Sequence, residues 1–247
     1  MKFIQMIIIL LIFPLPSSLL SQVNTETMRR EQAELGISQN TELSFTYIAT
    51  ETEIYFINSS YRMDYKWHKS WKSFIVANYE HAFEKGQENL NYQGFFHFRN
   101  IGQFKEKKYI ESFLQKEFNH FIDLKNRELY GLGIRSQIKK HIFIGYGVMY
   151  EKELYENNVD NIFLKSTNYI NHSIGLTENI YLQNVLYYQA KLKNTNHYRI
   201  LWEGKIAIKG SEQVLINLKF NYRYDISDIN PKGNQYFEMT NGLEIHF

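Results

Sequence analysis

The feature that most constrains the fold is an alternation of apolar and polar residues, which recurs from Ile37 to the carboxyl terminus. A period of two is typical of strands, because successive side chains point to opposite faces. About twelve such segments of about 9–14 residues can be counted, and none keeps a 3.6-residue period over three turns. One face of the segment near residue 220 carries Val214, Ile216, Leu218, Phe220, Tyr222 and Tyr224.

The connections between these segments tend to alternate in length after the first tight one near Thr50. The longer ones are predicted at Asn119–Arg127, Lys152–Asn161 and Lys191–His197. Long external loops and short periplasmic turns are typical of outer-membrane barrels. The sequence therefore predicts an all-β fold, a single antiparallel transmembrane β-barrel of about twelve strands with both termini in the periplasm.

The composition of the 247 residues excludes several other classes. A mean hydropathy of −0.43 excludes a helical membrane protein, and the absence of cysteine excludes a disulfide scaffold. A net charge of +2 lacks the excess of basic residues that is typical of nucleic-acid-binding proteins. The mean hydropathy is negative although 16% of the residues are aromatic. A barrel explains both values, because the mean is taken over an apolar face that contacts lipid and a charged face that lines the lumen.

The amino terminus predicts export. Lys2 precedes an apolar run from Phe3 to Phe13 that is too short to span a bilayer, which needs about 20 residues. We expect a signal peptide over residues 1–21, a short periplasmic strap over 22–36 and the barrel over 37–247. The expected location is the cell outer membrane.

The carboxyl terminus ends in a period-two pattern that closes on an aromatic residue. Leu243, Ile245 and Phe247 form one face of the last segment. Such a terminal strand is predicted to be the assembly signal that the barrel-assembly machinery reads during insertion. The expected partners are thus that machinery and outer-membrane lipid, and the oligomeric state is left open.

Charged residues in mid-strand are predicted to line the lumen. Both signs occur, so the charges either pair and close the lumen or line a narrow path for small polar solutes. A barrel of this size leaves little space once long side chains fill it, which favours a narrow or plugged barrel over an open porin. The predicted lumen-lining residues are Arg62, Asp64, Glu80, Arg99, Glu117, Arg135, Glu151, Lys205, Lys219, Arg223, Glu238 and Glu244.

No catalytic, cofactor or metal site is expected, because no nucleophile elbow, zinc motif or phosphate loop occurs. His172 and Ser173 are adjacent on a strand and should point to opposite faces. His120 and Asp123 lie in a predicted loop, where a solvated contact is favoured over an acid–base pair. The glycine pairs at 131/133 and 145/147 are predicted either to make room for bulky lumen side chains or to relieve strand bending.

Several short motifs resemble, in order and across the mature chain, a bacterial family known as the salt-induced outer membrane proteins. The resemblance implies a β-barrel, but it supplies no activity and no functional residues, since the family is described as a domain of unknown function. The motifs are Asn24-Thr25-Glu26 before Arg29-Arg30, Asn78-Tyr79-Glu80 after Trp71, Gln115-Lys116-Glu117-Phe118, Met149-Tyr150-Glu151-Lys152-Glu153 and Arg223-Tyr224-Asp225.

The functional expectation is a non-enzymatic, porin-like envelope protein, either a narrow or plugged channel for small polar solutes or a structural protein of envelope stress. Two alternatives stay open. One is an outer-membrane barrel enzyme that acts on lipid or peptide. The other is a secreted soluble β-barrel that binds an apolar ligand.

Overall fold

The fold is a meander of twelve strands. The computed structural model describes residues 35–49, 53–86, 89–157, 160–211, 214–226 and 234–245. One short 3-10 helix, His120–Ile122, follows β5. The strands are β1 Gly36–Ala49, β2 Glu53–His68, β3 Trp71–Glu84, β4 Asn89–Lys105, β5 Lys108–Asn119, β6 Leu124–Lys139, β7 Ile142–Tyr155, β8 Asp160–Gly175, β9 Ile180–Lys191, β10 Asn194–Lys209, β11 Val214–Asp225 and β12 Gln235–Ile245.

Each strand pairs antiparallel with the next one along the chain, in the order β1 to β12. The predicted all-β class, the antiparallel pairing and the strand number are therefore confirmed. The register keeps the two faces apart, as a period of two requires: Lys205 lies opposite Lys219, and Trp202 lies opposite Tyr222. Within the described ranges no ladder joins β1 to β12.

The sheet is strongly curled, and its concave side is here called the inner face. One small cavity is lined by side chains from Arg99 on β4 to Leu201 on β10. Arg199 on β10 also reaches Glu151, which lies three strands away on β7. A flat sheet could not bring these strands together, because neighbouring strands lie about 4.8 Å apart.

The two ends of the sheet differ in what they carry. The turn end holds the start of β1, the end of β12 and the connections 69–70, 106–107, 140–141, 176–179 and 210–213. The loop end holds the connections 50–52, 85–88, 120–123, 156–159, 192–193 and 226–234.

The prediction of long loops is wrong for three of the loop-end connections. The predicted loop Asn119–Arg127 shrinks to residues 120–123, where the Asn119 side chain accepts a hydrogen bond from the Phe121 N–H at 3.0 Å and Asp123 turns the chain with φ 55°. Strand β7 continues to Tyr155, and β10 already begins at Asn194. Polar strand ends resemble loops in sequence, but here their inward side chains are held by buried contacts.

Some predictions fall outside the described residues. The signal peptide, nearly all of the strap and Phe247 are among them. In the part of the chain that the structure describes, no helix is both long and apolar enough to cross a membrane.

Candidate functional site: a filled lumen

A buried carboxylate, Glu151, lies at the centre of the inner face in the half nearer the loop end. Arg127 Nε donates to Glu151 Oε1 at 2.8 Å, and Arg199 Nη1 donates to the same oxygen at 2.9 Å. The Lys165 ammonium contacts the other carboxylate oxygen. Glu151 and Arg127 are both fully buried. Three cations thus converge on one carboxylate that has no access to water.

Further acidic groups balance these cations. Arg127 also contacts Glu117 at 2.7 Å and Glu153 at 2.6 Å, while Arg199 donates to Asp225 at 2.6 Å. Four acidic and four basic side chains result, and together they are called the loop-half ion network. Its members are Glu117, Arg127, Glu151, Glu153, Lys165, Arg199, Arg223 and Asp225.

A chain of polar contacts continues from this network toward β3. Gln115 Nε2 donates to Glu117 at 2.6 Å, and the His97 ring nitrogen Nδ1 lies 3.1 Å from Gln115 Oε1. Arg99 donates to Glu111 at 3.2 Å. Separate contacts tie Asn119 to Gln93 and Gln93 to Glu80. Buried polar groups without partners are costly, so this continuity is what allows so many of them to fill the lumen.

Aromatic rings fill the middle of the lumen by packing onto glycines. A Cβ atom at Gly131 would collide with the Phe113 ring, and one at Gly145 would collide with the Tyr169 ring. The prediction that glycines make room for bulky side chains is confirmed at Gly131 and Gly145, whereas a Cβ atom at Gly133 or Gly147 would first meet backbone atoms of the neighbouring strand. Between the rings remains a cavity of about 50 Å³, which has room for no more than a few water molecules.

The turn half of the inner face is more open. A cavity of about 560 Å³ lies among β7 to β10 and is lined by His141, Asn171 and Lys205. A second cavity of about 340 Å³ lies among β2 to β7 and is lined by Lys66, Lys72 and Arg135 among others. The inner face therefore changes from buried, paired charges at the loop end to open cavities at the turn end.

The predicted lumen residues with described side chains all lie on the inner face. Arg62 binds Asp64 at 2.6 Å, and Lys205 lies in register with Lys219. Glu238 and Glu244 lie on β12, as do Leu243 and Ile245, but their side chains are outside the described residues. Those that take part in the polar contacts above are Glu80, Arg99, Glu117, Glu151 and Arg223, while Arg135 packs against Phe143.

Five of the eight members of the ion network were not among the residues predicted from the sequence. Arg127 and Glu153 were placed in predicted connections, so their inward direction was not considered. Lys165, Arg199 and Asp225 were not selected, although each is in phase with the inner residues of its own strand. Applying the period of two over the full length of each strand would have identified all five.

The residues of the enzyme alternatives are not brought together. Ser173 lines the larger turn-half cavity, whereas its neighbour His172 points to the other face. The Asp123 N–H donates to the His120 carbonyl at 3.1 Å, and the His120 ring stacks on Tyr92 instead. No group of three or more His, Asp or Glu side chains that could hold a metal ion occurs among the described residues.

The outer face is apolar and exposed. Leu132 on β6 is 61% exposed, and Ile162 on β8 is 57% exposed. Near the loop end the outward residues become aromatic, and neighbouring strands contribute rings that touch. These pairs include Tyr47–Tyr55, Tyr55–Phe83, Tyr92–Phe118, Tyr130–Tyr150, Tyr188–Tyr198 and Tyr198–Tyr224.

Comparison with protein-family models gives no match, and comparison with curated proteins gives none either. Solved structures with a similar strand arrangement include the translocator domain of the autotransporter NalP from Neisseria meningitidis, at 10% identity and a TM-score of 0.48, covering 88% of this chain and 90% of that one. The NanC porin has 6% identity and a TM-score of 0.49, with coverage of 85% and 99%. The KdgM porin has 9% identity and a TM-score of 0.43, with coverage of 85% and 98%.

Proposed function

We propose that this chain is a non-enzymatic β-barrel of the bacterial outer membrane, closed by pairing of β1 with β12, with a narrow and largely filled lumen. It passes at most small polar solutes. The observation that carries this proposal is the inverted arrangement of the two faces: the inner face buries paired ions, and the outer face exposes Leu132, Ile162 and their neighbours. Water disfavours a large continuous apolar surface, whereas lipid requires one.

The spacing of the outward aromatic rings supports a membrane span. On β2, Tyr55 lies near the loop end, and Trp67, which stacks on Trp71 at 5.6 Å, lies near the turn end. At about 3.3 Å per residue the two are about 40 Å apart along the strand. A strand tilt of about 45° reduces this to a height of about 28 Å, close to the apolar band of outer-membrane barrels.

The secreted soluble barrel is disfavoured by the same arrangement. A barrel that binds an apolar ligand in water needs an apolar inner face, whereas Glu151, Arg127 and Arg199 occupy the centre of this one. The proposed relation to the salt-induced outer membrane proteins rests on the sequence motifs alone. The proposal of a non-enzymatic role rests on the opposite directions of His172 and Ser173 and on the stacking of the His120 ring on Tyr92.

The substitution Leu132→Arg tests the membrane span. In lipid, an arginine near the midplane costs about 2–4 kcal/mol, whereas on a water-facing surface a polar substitution changes stability by about 0.5 kcal/mol or less. We expect Leu132→Arg to lower the unfolding free energy of the protein refolded in lipid vesicles. The control is Lys116→Arg. Lys116 is also exposed on the outer face of the sheet, and its replacement by arginine leaves the charge at that position unchanged. Equal stability of Leu132→Arg and the control would contradict the membrane proposal.

Conductance across a planar bilayer tests the filled lumen. We expect the wild-type protein to give small steps or none, because the ion network and the rings over Gly131 and Gly145 leave a cavity of only about 50 Å³. The triple variant Phe113→Ala, Tyr169→Ala and Arg199→Ser, which removes ring and network bulk, should conduct more. Large wild-type steps would show an open porin, and silence of both proteins would favour the structural envelope role.

A further inference from the structure

The smaller turn-half cavity, of about 340 Å³, has an unusual distribution of charge. Among the described residues, the charged side chains that line it are Lys66, Lys69, Lys72 and Arg135, and no acidic side chain of that part of the chain lines it. Its size is within the range of pockets for small organic ligands, about 300–1,000 Å³. From this cavity we propose that the protein holds a small soluble anion at its turn end, with carboxylate or phosphate groups.

Arg135 forms the inner wall of this anion site. It is 4% exposed, and its guanidinium lies 3.6 Å from the centre of the Phe143 ring and 5.9 Å from that of Tyr109. The two rings hold the planar group in one orientation, so little side-chain freedom remains to be lost on binding. A guanidinium held in this way can donate two parallel hydrogen bonds to a carboxylate or a phosphate.

Two inner-face carboxylates on strands that border the cavity, Asp64 on β2 and Glu111 on β5, each contact an arginine that does not line it. Asp64 is bonded to Arg62 at 2.6 Å, and Glu111 is bonded to Arg99 at 3.2 Å. Each of these acidic groups thus already has a basic partner on the inner face. The polar groups that line the cavity beside the cations are Ser70, Gln103 and Gln137, and these side chains can donate or accept further hydrogen bonds.

The rim around the cavity extends the positive charge. The segments 66–72, 103–109 and 135–143, which enclose the three turns of β2 to β7, contain three lysines or arginines each, nine in total. Their one acidic residue is Glu106, which is exposed and lies 3.9 Å from Lys107. In contrast, the turn 176–179 carries Glu178 and no basic residue. A concave site with one sign of charge concentrates field lines and raises the local concentration of the opposite ion.

The site does not depend on passage through the lumen. An anion would bind at the turn end whether or not the barrel conducts, so a silent bilayer leaves this inference intact. Conversely, small conductance steps in a protein that binds no anion would overturn the site and leave the proposed function untouched.

Calorimetric titration of the purified protein in detergent tests the site with three probes: sodium pyrophosphate, sodium citrate and uncharged glucose. We expect saturable binding of at least one anion, no binding of glucose, and a marked loss of affinity at about 0.5 M NaCl, where charges are screened within about 4 Å. No saturable binding of either anion, or equal binding of glucose, would overturn the proposal.

Two substitutions assign the binding to this cavity. The double variant Lys66→Gln and Lys72→Gln removes two half-buried cations and should weaken binding at least about tenfold, since one charged hydrogen bond accounts for about that factor. Arg135→Lys should keep charge but lose the two parallel hydrogen bonds, and so bind more weakly than wild type.

The control Lys116→Gln removes one charge from the outer face near the loop end and should bind as wild type does.

Two results would contradict the assignment. One is unchanged affinity in the Lys66→Gln and Lys72→Gln protein, whose folding is checked by its gel mobility before and after heating. The other is displacement of pyrophosphate by phosphatidylglycerol micelles but not by citrate, which would assign the cavity to a lipid headgroup instead of a soluble anion.

Discussion

The loop half and the turn half of the inner face use similar charged residues in different ways. In the loop half, Glu151 is surrounded by Arg127 and Arg199, and all three are buried. In the turn half, Lys66 and Lys72 face a cavity and are only partly buried. Position along the strand thus decides the role of a lumen charge: charges of opposite sign that meet across strands fill the lumen, whereas charges of like sign in the turn half line an open cavity.

The largest expected effect comes from breaking the loop-half ion network at its centre. Glu151→Gln leaves Arg127, Arg199 and Lys165 buried with less negative charge to balance them. Removing one partner of a buried ion pair costs about 3–5 kcal/mol. Urea unfolding of the protein in vesicles measures the change. A loss below about 1 kcal/mol would indicate that water reaches these groups and that the two halves do not differ.

The next effect lies at the boundary between the halves. Gly131→Ala places a methyl group against the Phe113 ring, and overpacking of this kind costs about 1–3 kcal/mol. The matched control is Gly175→Ala, where the nearest atom would lie 3.7 Å away and no loss is expected. Stability is read from the same urea transitions. Combining Gly131→Ala with Phe113→Leu should recover part of the loss, and failure to do so would mean that the ring is not the obstacle.

A smaller effect is expected in the turn half. Replacing Lys66 and Lys72 by Gln removes charges that face water, so the unfolding free energy should change by about 0.5 kcal/mol or less. Since like charges repel, the wild-type protein should gain more stability from added salt than the variant does. Unfolding at two salt concentrations measures both expectations. If the unfolding free energy fell as much as in Glu151→Gln, charges of the turn half would contribute to stability as those of the loop half do, and the proposed difference between the halves would be wrong.

The smallest effect is expected for an ion pair outside the lumen. Glu53 and Lys85 lie 2.8 Å apart near the loop end, and the hydrogen bond to Glu53 raises the pKa of the Lys85 ammonium. Both groups are solvated, and exposed pairs contribute little to stability. Glu53→Gln should leave the urea midpoint unchanged. A shift comparable to that of Glu151→Gln would show that burial is not what distinguishes the network.

Much of the fold could be predicted from the sequence, because alternation is a local property. The face of Arg99, Glu151 or Arg223 follows from its phase within one strand. The contacts could not be predicted in the same way. Arg199 and Glu151 are 48 residues apart, and their meeting depends on the curvature of the sheet, which no local pattern encodes.

The ends of strands were the weakest part of the sequence prediction. Arg127 and Glu153 are polar residues beside turn-forming residues, and such segments resemble loops. Their inclusion in β6 and β7 depends on ion pairs with partners that lie far along the chain or on the next strand. The anion site was hidden for a related reason, since Lys66, Lys72 and Arg135 come from β2, β3 and β6 and converge only in the curled sheet.

The span of the ion network along the chain has a consequence for the order of assembly. Glu151 belongs to β7, but Arg199 and Asp225, which complete the charge balance, arrive with β10 and β11. A partly assembled sheet that ends before β10 would hold Glu151 and Glu153 without Arg199. Dehydrating such an intermediate would be costly, so we expect the inner face to lose water only after β10 and β11 have joined. The carboxyl-terminal strands would then act as a folding checkpoint for charges placed much earlier in the chain.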